Sequence, residues 1–287
     1  MDERYGALET GGTWCVAGIG TADGELLETE RFPTEGPDET LERCAAWLRK
    51  RGPLRRVGVG AFGPVIVDPA ASDWGVVTTT PKQGWRGTAV GPFLRDALAV
   101  ELVLDTDVGV AGLAEHRWGA GRGCSSLAYI TVGTGIGAGL IIGGRIVRGR
   151  QHPEFGHVPV PHDRDADPFT GICPYHRDCL EGLASGPALE ARWGADPSTL
   201  ADDHVAWALE TGYLTDAMRI LAYTMSPERV IIGGGVGRRP GLVERLRSRL
   251  DDAMAGYLAA PELCRPGIDD GQSGVRGALA LAIDGAG

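Results

Sequence analysis

Two glycine-rich turns, one in each half of the chain, limit most strongly what this sequence can fold into. The segments Glu9–Thr13 (E-T-G-G-T) and Gly133–Gly137 (G-T-G-I-G) each lie between two short apolar runs, which predicts paired strands joined by a tight turn. The backbone N–H groups of such a turn can also close around an anion such as a phosphate. A purely structural role stays open, because a tight hairpin turn needs glycine for its geometry alone.

The segments around these turns alternate between strand and helix patterns, which predicts an α/β protein. Strands are expected at Leu26–Phe32 and Val57–Phe62, and apolar residues at helical spacing indicate a helix over Pro37–Arg51. The span between Phe62 and Leu102 is expected to be rich in turns. The remaining predicted elements are, in chain order, the strands Leu102–Leu104, Ala128–Val132 and Ala138–Ile142, the helices Leu180–Trp193 and Asp202–Thr224, the strand Arg229–Ile232 and the helix Gly274–Ile283.

The length of 287 residues exceeds what a single hydrophobic core usually contains, so two lobes are expected. Apolar runs stay well below the roughly 20 residues that a membrane-spanning helix needs. The N-terminal segment M-D-E-R-Y-G lacks the basic and apolar pattern of a secretory signal. We therefore expect a cytoplasmic protein without a membrane partner. The net charge of -10 argues against a nucleic-acid partner, since that affinity depends on clustered Lys and Arg.

The segment C-P-Y-H-R-D-C carries thiols and an imidazole three residues apart. Four ligands of the sulfur and imidazole types that tetrahedral zinc prefers are available, namely Cys173, His176, Cys179 and either His157 or His152. Four protein ligands leave no open coordination position, so the predicted zinc is structural. The alternative of buried free thiols with a surface histidine stays open. Disulfides are disfavoured, because the expected compartment is reducing.

Asp105 and Asp107 end a predicted strand in the run D-T-D-V. Side chains two residues apart share a face of a strand, and α/β folds place their chemistry at the carboxyl ends of strands. One of the two is thus a candidate general base, although a role as a helix cap explains the same residues. Glu154 and Glu181 flank predicted metal ligands, which would hold both carboxylates in place as acceptors for sugar hydroxyls.

A minor alternative concerns the second glycine turn. Gly133, Gly135 and Ala138 satisfy a dinucleotide-binding fingerprint, with Glu154 about the expected distance further on. That fingerprint requires a helix after the turn, whereas the sequence predicts a hairpin. Phosphoryl transfer is therefore favoured over chemistry with a nicotinamide cofactor.

In this order, the glycine turns, the metal segment and several further motifs resemble the ROK family, named for repressors, open reading frames and kinases, and in particular its bacterial fructokinase branch. The likeness extends from about Tyr5 to Ile283. It rests on E-T-G-G-T, G-A-F-G-P-V, T-T-P-K-Q-G-W, D-T-D-V, G-T-G-I-G-A-G, H-P-E-F-G-H, C-P-Y-H-R-D-C-L-E-G-L-A-S-G-P-A and I-I-G-G-G-V.

The resemblance implies an actin-like, ribonuclease H-like ATPase fold of two α/β lobes with a cleft between them. The smaller lobe would comprise residues 1–107 and 270–287, and the larger lobe residues 108–269 with a zinc-binding loop. The implied activity is that of an ATP-dependent hexose kinase, a fructokinase that uses Mg²⁺ and transfers the γ-phosphate of ATP to the 6-hydroxyl of D-fructose. A homodimer is also implied.

Two alternatives remain within the resemblance, a ROK-type glucokinase or mannokinase and a non-catalytic, sugar-sensing regulator. Regulators of this family carry a DNA-binding segment ahead of the first phosphate turn. Here that turn begins at Glu9, which we expect to leave no room for such a segment.

Family roles carry over to the matching positions of this chain. Asp107 would be the base that takes the proton of the sugar hydroxyl. The residues implied to line the sugar are Pro64, Glu154, His157 and Glu181, and those implied to bind structural Zn²⁺ are His157, Cys173, His176 and Cys179. The residues implied to hold ATP are Gly11, Gly12, Thr13, Gly133, Thr134, Gly135 and Gly137 at the phosphates, and Ser185, Gly186, Gly233, Gly234, Gly235 and Val236 at the adenosine.

Three positions differ from the family pattern. Gly109 stands where an Asn near the sugar is common, Trp14 follows the first phosphate turn where Lys is common, and Arg177 replaces a small residue in the metal segment. The missing Asn removes a candidate hydrogen bond to the sugar, and the missing Lys removes a candidate phosphate contact. Neither change touches the implied base or the implied metal ligands.

Overall fold

The computed structural model describes residues 3–268 and 271–285. These residues form two compact units. The first unit comprises the chain up to Arg122, Gly139–Pro153 and the chain from Ile268 on, and the second comprises Gly123–Ala138 and Glu154–Gly267. The lobe boundaries implied by the resemblance, with breaks after residues 107 and 269, stay a prediction.

Strands and helices alternate along most of the chain, which confirms the α/β prediction. The strands are β1 (Arg4–Thr10), β2 (Trp14–Thr21), β3 (Leu26–Pro33), β4 (Arg56–Ala61), β5 (Glu101–Thr106), β6 (Ser126–Val132), β7 (Ile136–Ile142), β8 (Arg145–Ile146), β9 (Arg229–Gly233) and β10 (Glu262–Cys264). The α-helices are α1 (Pro37–Arg49), α2 (Val90–Leu98), α3 (Asp107–Trp118), α4 (Leu180–Ala184), α5 (Gly186–Trp193), α6 (Ala206–Met225), α7 (Leu242–Met254) and α8 (Ser273–Asp284). Among the described residues, every helix is too short or too polar to cross a bilayer.

The first sheet has five strands in the order β3-β2-β1-β4-β5. β1 and β2 are antiparallel and joined by the turn Gly11–Thr13, which confirms the predicted hairpin. β4 and β5 run parallel to β1, and Thr10, Ala61 and Thr106 lie side by side in these three strands. The first glycine turn and Asp107, which follows Thr106, therefore lie at the same edge of the sheet.

Helices cover both faces of this sheet, because consecutive residues of a strand point to opposite sides. In β1, Leu8 packs into a core that includes Leu41 of α1 and Leu94 of α2. The preceding residue, Ala7, packs with Leu279 of α8. All of these side chains are fully buried.

Glycines in β4 let the helices on one face approach the strand backbone directly. A Cβ atom at Gly58 would lie 1.9 Å from the carbonyl oxygen of Ala278 in α8, and one at Gly60 would lie 2.4 Å from Cγ2 of Val110 in α3. α3 and α8 contact each other in the same way, since a Cβ atom at Gly277 would lie 1.8 Å from the carbonyl oxygen of Val110. Main-chain contact therefore fixes the start of α3 relative to the sheet.

The second sheet has the strand order β10-β9-β6-β7-β8. β9 lies parallel to both β6 and β10. β7 and β8 are antiparallel and joined by Gly143 and Gly144, whose φ angles of 56° and 75° suit a two-residue hairpin turn. This hairpin confirms the prediction from the Gly-Gly pair.

The span between Phe62 and Leu102 is rich in turns before α2, as predicted. It also contains α2, which was not predicted, because its sequence V-G-P-F-L-R-D-A-L holds Gly and Pro within the first turn. One prediction of local structure is wrong. The helix predicted over Leu180–Trp193 is two helices, because Ser185 between α4 and α5 is extended, with φ −73° and ψ 161°. Ser185 caps α5 by accepting a hydrogen bond from the Ala188 N–H.

Candidate functional site

The first glycine turn is closed on one side and open on the other. The Gly11 N–H donates to the carbonyl oxygen of Trp14 at 3.0 Å. A Cβ atom at Gly11 would lie 2.6 Å from that oxygen, so the turn requires glycine there. Gly12 and Thr13 are exposed, and no described atom lies within 4 Å of a Cβ atom built on Gly12. The turn thus keeps room for a ligand beside its backbone.

Lys82 lies against this turn, although the sequence analysis gave it no role. Its Nζ donates to the carbonyl oxygen of Gly12 at 2.6 Å and to that of Thr34 at 3.2 Å. Lys82 therefore brings an ammonium group to the first glycine turn, which in this sequence is followed by Trp14 instead of the Lys of the family pattern. The motif T-T-P-K-Q-G-W contained this lysine, but only the fold shows that it meets the turn.

Asp107 is the first residue of α3. Its Oδ1 accepts a hydrogen bond from the Val108 N–H at 2.9 Å, and the side chain is partly buried. Burial raises the pKa of Asp107 to about 6, and the neighbouring charge of Asp105 adds to this, while the Val108 N–H opposes it. The carboxylate is therefore ionised at neutral pH and is more basic than an ordinary Asp.

Asp105 and Asp107 differ in their partners and in their exposure to solvent. The cap of α3 is Thr106, whose Oγ1 accepts from the Gly109 N–H at 3.0 Å. Asp105 is fully buried and its Oδ2 accepts from Arg148 Nε at 2.7 Å. Asp107 is thus the carboxylate of the pair that reaches solvent.

A second carboxyl group lies close to the first turn. Glu9 ends in the space beside the start of α8, where a Cβ atom at Gly274 would lie 2.1 Å from the carboxyl carbon of Glu9. Burial raises the pKa of Glu9 to about 8, and the charge of Asp107 is the next largest cause. Glu9 is therefore mostly protonated at pH 7. Glu9 belongs to the motif E-T-G-G-T, but the sequence alone indicated no role for it.

Pro64 follows a cis peptide bond from Gly63 and is partly buried. Its carbonyl oxygen accepts from the Thr78 N–H at 2.7 Å, which ties the two motifs together. The next residue, Val65, donates its N–H to Nε2 of His152 at 3.2 Å. His152, one of two candidates for the fourth metal ligand, is therefore engaged with this loop.

The second glycine turn is held by the helices that follow it in the chain. The Gly133 carbonyl oxygen accepts from the Gly186 N–H at 2.7 Å, at the start of α5. Oε2 of Glu181, in α4, accepts from the Ile136 N–H at 2.9 Å. Thr134 is exposed. One oxygen of Glu181 therefore shapes the turn itself.

The third glycine segment, Gly233–Val236, begins with the last residue of β9. Gly234 has a φ of 84°, and a Cβ atom there would lie 2.3 Å from the carbonyl oxygen of Val132. The Val236 N–H donates to the same oxygen at 2.9 Å. Only glycine fits at position 234, while Gly235 is exposed and a Cβ atom there would meet no described atom within 4 Å.

His157, Cys173, His176 and Cys179 come together, with their ligand atoms within 4.8 Å of one another. Nδ1 of His157 lies 3.7 Å from Sγ of Cys173 and 3.5 Å from Sγ of Cys179. Bond lengths of about 2.3 Å to sulfur and about 2.0 Å to nitrogen place the ligands of a tetrahedral zinc ion roughly 3.5 Å apart. The residues thus fit zinc, and they select His157 over His152.

Arg177 shows the cost of a departure from the family pattern. Its φ of 59° lies in the left-handed region that favours glycine. The strain is held by a pair of hydrogen bonds, from the Cys173 N–H to the Arg177 carbonyl oxygen at 3.2 Å and from the Arg177 N–H back to the Cys173 oxygen at 3.0 Å. This closed loop keeps Cys173 facing Cys179.

Glu154 directly precedes the short helical turn Phe155–His157, and His157 is its last residue. The Glu154 carbonyl oxygen accepts from the His157 N–H at 3.0 Å, and the Glu154 side chain is exposed. Because Nδ1 of His157 faces the two sulfurs, its Nε2 points away from the metal group. The imidazole can serve both a metal ion and a second partner.

Comparison with known proteins identifies the class to which this arrangement belongs. The crystal structure of the ROK hexokinase from Thermus thermophilus matches with a TM-score of 0.81 and 30% sequence identity, over 97% of each chain. The fold is therefore the actin-like ATPase fold, as expected. The fructokinase of Zymomonas mobilis is 37% identical over 97% of this chain and 96% of its own length. The fructokinase of Streptococcus mutans is 34% identical over 98% of both.

The chain belongs to the ROK family, whose family model matches residues 5–285. The resemblance found in the motifs is thereby confirmed over nearly the whole chain.

Proposed function

We propose that this protein is an ATP-dependent hexose kinase, a fructokinase that transfers the γ-phosphate of ATP to the 6-hydroxyl of D-fructose. The observation that carries the proposal is the pairing, at one edge of the first sheet, of an open glycine turn with the partly buried carboxylate of Asp107. Relatives named fructokinase, at 37% and 34% identity over nearly full length, support fructose as the substrate.

Asp107 is the proposed general base. A sugar hydroxyl has a pKa far above neutrality, so its attack on phosphorus is helped by a group that accepts the proton in the transition state. With a pKa of about 6, Asp107 is ionised above that pH and accepts a proton more readily than an ordinary Asp. Most of the acceleration would come from alignment of the hydroxyl with the phosphate. We expect the rate to fall as the pH drops below about 6.

The glycine turns would hold the phosphates of ATP. The residues proposed for this role are Gly11, Gly12 and Thr13, with Lys82 fixing their turn through the Gly12 carbonyl oxygen. The other residues proposed for it are Gly133, Thr134, Gly135 and Gly137. Mg²⁺ would neutralise charge on the phosphates. Because Glu9 is mostly protonated below about pH 8, it adds little negative charge beside them.

The adenosine would lie against the segment after β9 and the start of α5. The residues assigned to it are Ser185, Gly186, Gly233, Gly234, Gly235 and Val236. Support comes from the backbone geometry, since Gly186 is hydrogen-bonded to the second glycine turn and Gly234 can only be glycine. Both contacts bring main chain, without side chains, to the place where a nucleotide would bind.

The residues proposed to contact the hexose are Pro64, Glu154, His157 and Glu181. Nε2 of His157 and the exposed carboxylate of Glu154 are suited to sugar hydroxyls. The four ligands His157, Cys173, His176 and Cys179 would bind one structural Zn²⁺ with no open coordination position. The metal would fix His157 and thereby its sugar-facing nitrogen.

A homodimer in the cytoplasm, without a nucleic-acid partner, completes the proposal. The dimer rests on the family resemblance, and the lack of affinity for nucleic acid on the net charge of -10.

A coupled assay of ADP release tests the proposal. The protein would be assayed with Mg·ATP and each of fructose, glucose, mannose and N-acetylglucosamine, with Asp107→Asn as the control. Fructose should give the highest kcat/KM, and the control should be nearly inactive. ADP release that no sugar raises above the control would refute a hexose kinase. A clear preference for glucose or mannose would refute only the choice of fructose.

A further inference from the structure

Gly109 lies two residues after the proposed base, where the family pattern has an Asn. A Cβ atom at this position would lie 2.7 Å from Oδ1 of Asp105 and 2.8 Å from Oγ1 of Thr106. Real Cβ contacts are almost never so short. The structure therefore leaves no room for a side chain at position 109, because the Asp105 carboxylate fills the space that it would occupy.

The Asp105 carboxylate is fully buried, and both of its oxygens are bonded. Oδ1 accepts from the Thr106 N–H at 2.6 Å and from the Thr106 hydroxyl at 3.2 Å. Oδ2 accepts from Nε of Arg148 at 2.7 Å and also from its Nη2. A carboxylate buried in this way needs a cationic partner, because an unpaired buried charge is strongly destabilising. Arg148 supplies that charge through two nitrogens.

Thr106 connects the Asp105 carboxylate to α3 through hydrogen bonds. Its hydroxyl donates to Asp105, and the same oxygen accepts from the Gly109 N–H in the first turn of the helix. The bonds therefore run from Arg148 through Asp105 and Thr106 to the turn that carries Asp107. Each member is held by its neighbour, so loss of the first would loosen the last.

We propose that Arg148 is a positioning residue for the phosphoryl-transfer site, acting through Asp105 and Thr106 to fix the Asp107 carboxylate, and that Gly109 provides the space this requires. The inference rests on the proposed kinase function. In this chain Asp105 and Thr106 occupy the space into which a side chain at position 109 would extend. The side chain of Arg148 is 34% exposed, whereas that of Asp105 is fully buried.

Steady-state kinetics of four variants test this role. Arg148→Met removes the charge and keeps an unbranched apolar stem, and Arg148→Lys restores a charge without the two-nitrogen fork. Gly109→Ala places a methyl group against the Asp105 carboxylate. The fourth variant, Arg145→Met, is the matched control, because Arg145 is an exposed arginine of the same segment without an ion pair among the described residues.

A misplaced catalytic group costs about 10²-fold in rate. We expect Arg148→Met and Gly109→Ala to lower kcat about 10- to 100-fold while KM for the hexose changes less than about threefold. Arg148→Lys should recover part of the loss, and Arg145→Met should match the wild type. Two further variants, Asp105→Asn and its combination with Arg148→Met, test the coupling. The double variant should be no slower than the slower of its two single variants, because both substitutions act through one bond.

Hydrogen exchange of the amides of residues 106–110 provides a readout without activity. Exchange should be faster in Arg148→Met than in the wild type or in Arg145→Met. Normal kcat together with unchanged exchange in Arg148→Met would overturn the inference, and so would a loss seen only in KM for the hexose. If the wild type phosphorylates no hexose, the proposed function fails instead, and the exchange data alone decide whether Arg148 orders the start of α3.

Discussion

Replacement of Asp107 by Asn should stop catalysis and yet stabilise the folded chain near neutral pH. The side chain is partly buried, and burial is the largest cause that raises its pKa from 3.8 to about 6. Asn has nearly the same shape and keeps an oxygen for the Val108 N–H, but it carries no charge. The variant therefore removes a partly buried charge and leaves its hydrogen bond in place.

The sign of the effect follows from proton linkage. Because the pKa of Asp107 is higher in the folded than in the unfolded chain, the folded state binds the proton more tightly, and stability falls as the pH rises from about 4 through about 6. A rise of about 2 pKa units corresponds to about 3 kcal/mol, and partial exposure to solvent reduces the expected gain to about 1 to 2 kcal/mol. Loss of the base should lower kcat about 10²- to 10⁴-fold.

Thermal unfolding at pH 4.5 and pH 8 and the ADP-release assay at pH 7.5 would be measured on the same preparations. The melting temperature of Asp107→Asn should exceed that of the wild type at pH 8 and approach it at pH 4.5. The exposed Asp73→Asn serves as the matched control and should change neither quantity. Equal melting temperatures of Asp107→Asn and wild type at pH 8 would refute the argument from burial, and retained turnover would refute the role as base.

Three further outcomes are expected. Lys82→Met should raise KM for ATP more than KM for the hexose, because it frees the first glycine turn; an unchanged KM for ATP would contradict this. Purified protein should contain about one zinc per chain, lost on changing Cys173 and Cys179 to Ser but kept in His152→Ala, as metal analysis would show. Gly234→Ala should lower stability by about 1 to 3 kcal/mol, since its φ and the Val132 oxygen exclude a side chain, and an unfolding midpoint no lower than that of Gly235→Ala would argue against that geometry.

Local patterns in the sequence predicted much of the fold. Glycine turns between apolar runs identified two hairpins, β1–β2 and β7–β8, because turn geometry depends on a few adjacent residues. α2 was missed because Gly and Pro in its first turn look like a loop, while its stability comes from burial of Val90 and Leu94 in the core. The break at Ser185 was missed because helical spacing continues across it.

The site was less predictable, since its decisive contacts join distant segments. Spacing alone could not choose between Asp105 and Asp107, because the choice depends on Arg148, which is more than 40 positions away in sequence. Spacing alone also could not choose between His152 and His157, which belong to one short run. The fold decides, because it places His152 beside Val65 and His157 beside two thiols. The family resemblance supplied the roles that local patterns could not.

The bare stretch of β4 at Gly58 and Gly60 has a consequence for how the protein tolerates change. At Gly60 a Cβ atom would lie 2.4 Å from Cγ2 of Val110 and 3.5 Å from the Cα atom of Asp107, so the first turn of α3 packs directly on the strand backbone. A methyl group added at Gly58 would push on α8, whereas one added at Gly60 would push the first turn of α3 away from the strand. The second change would displace Asp107, so we expect it to lower turnover.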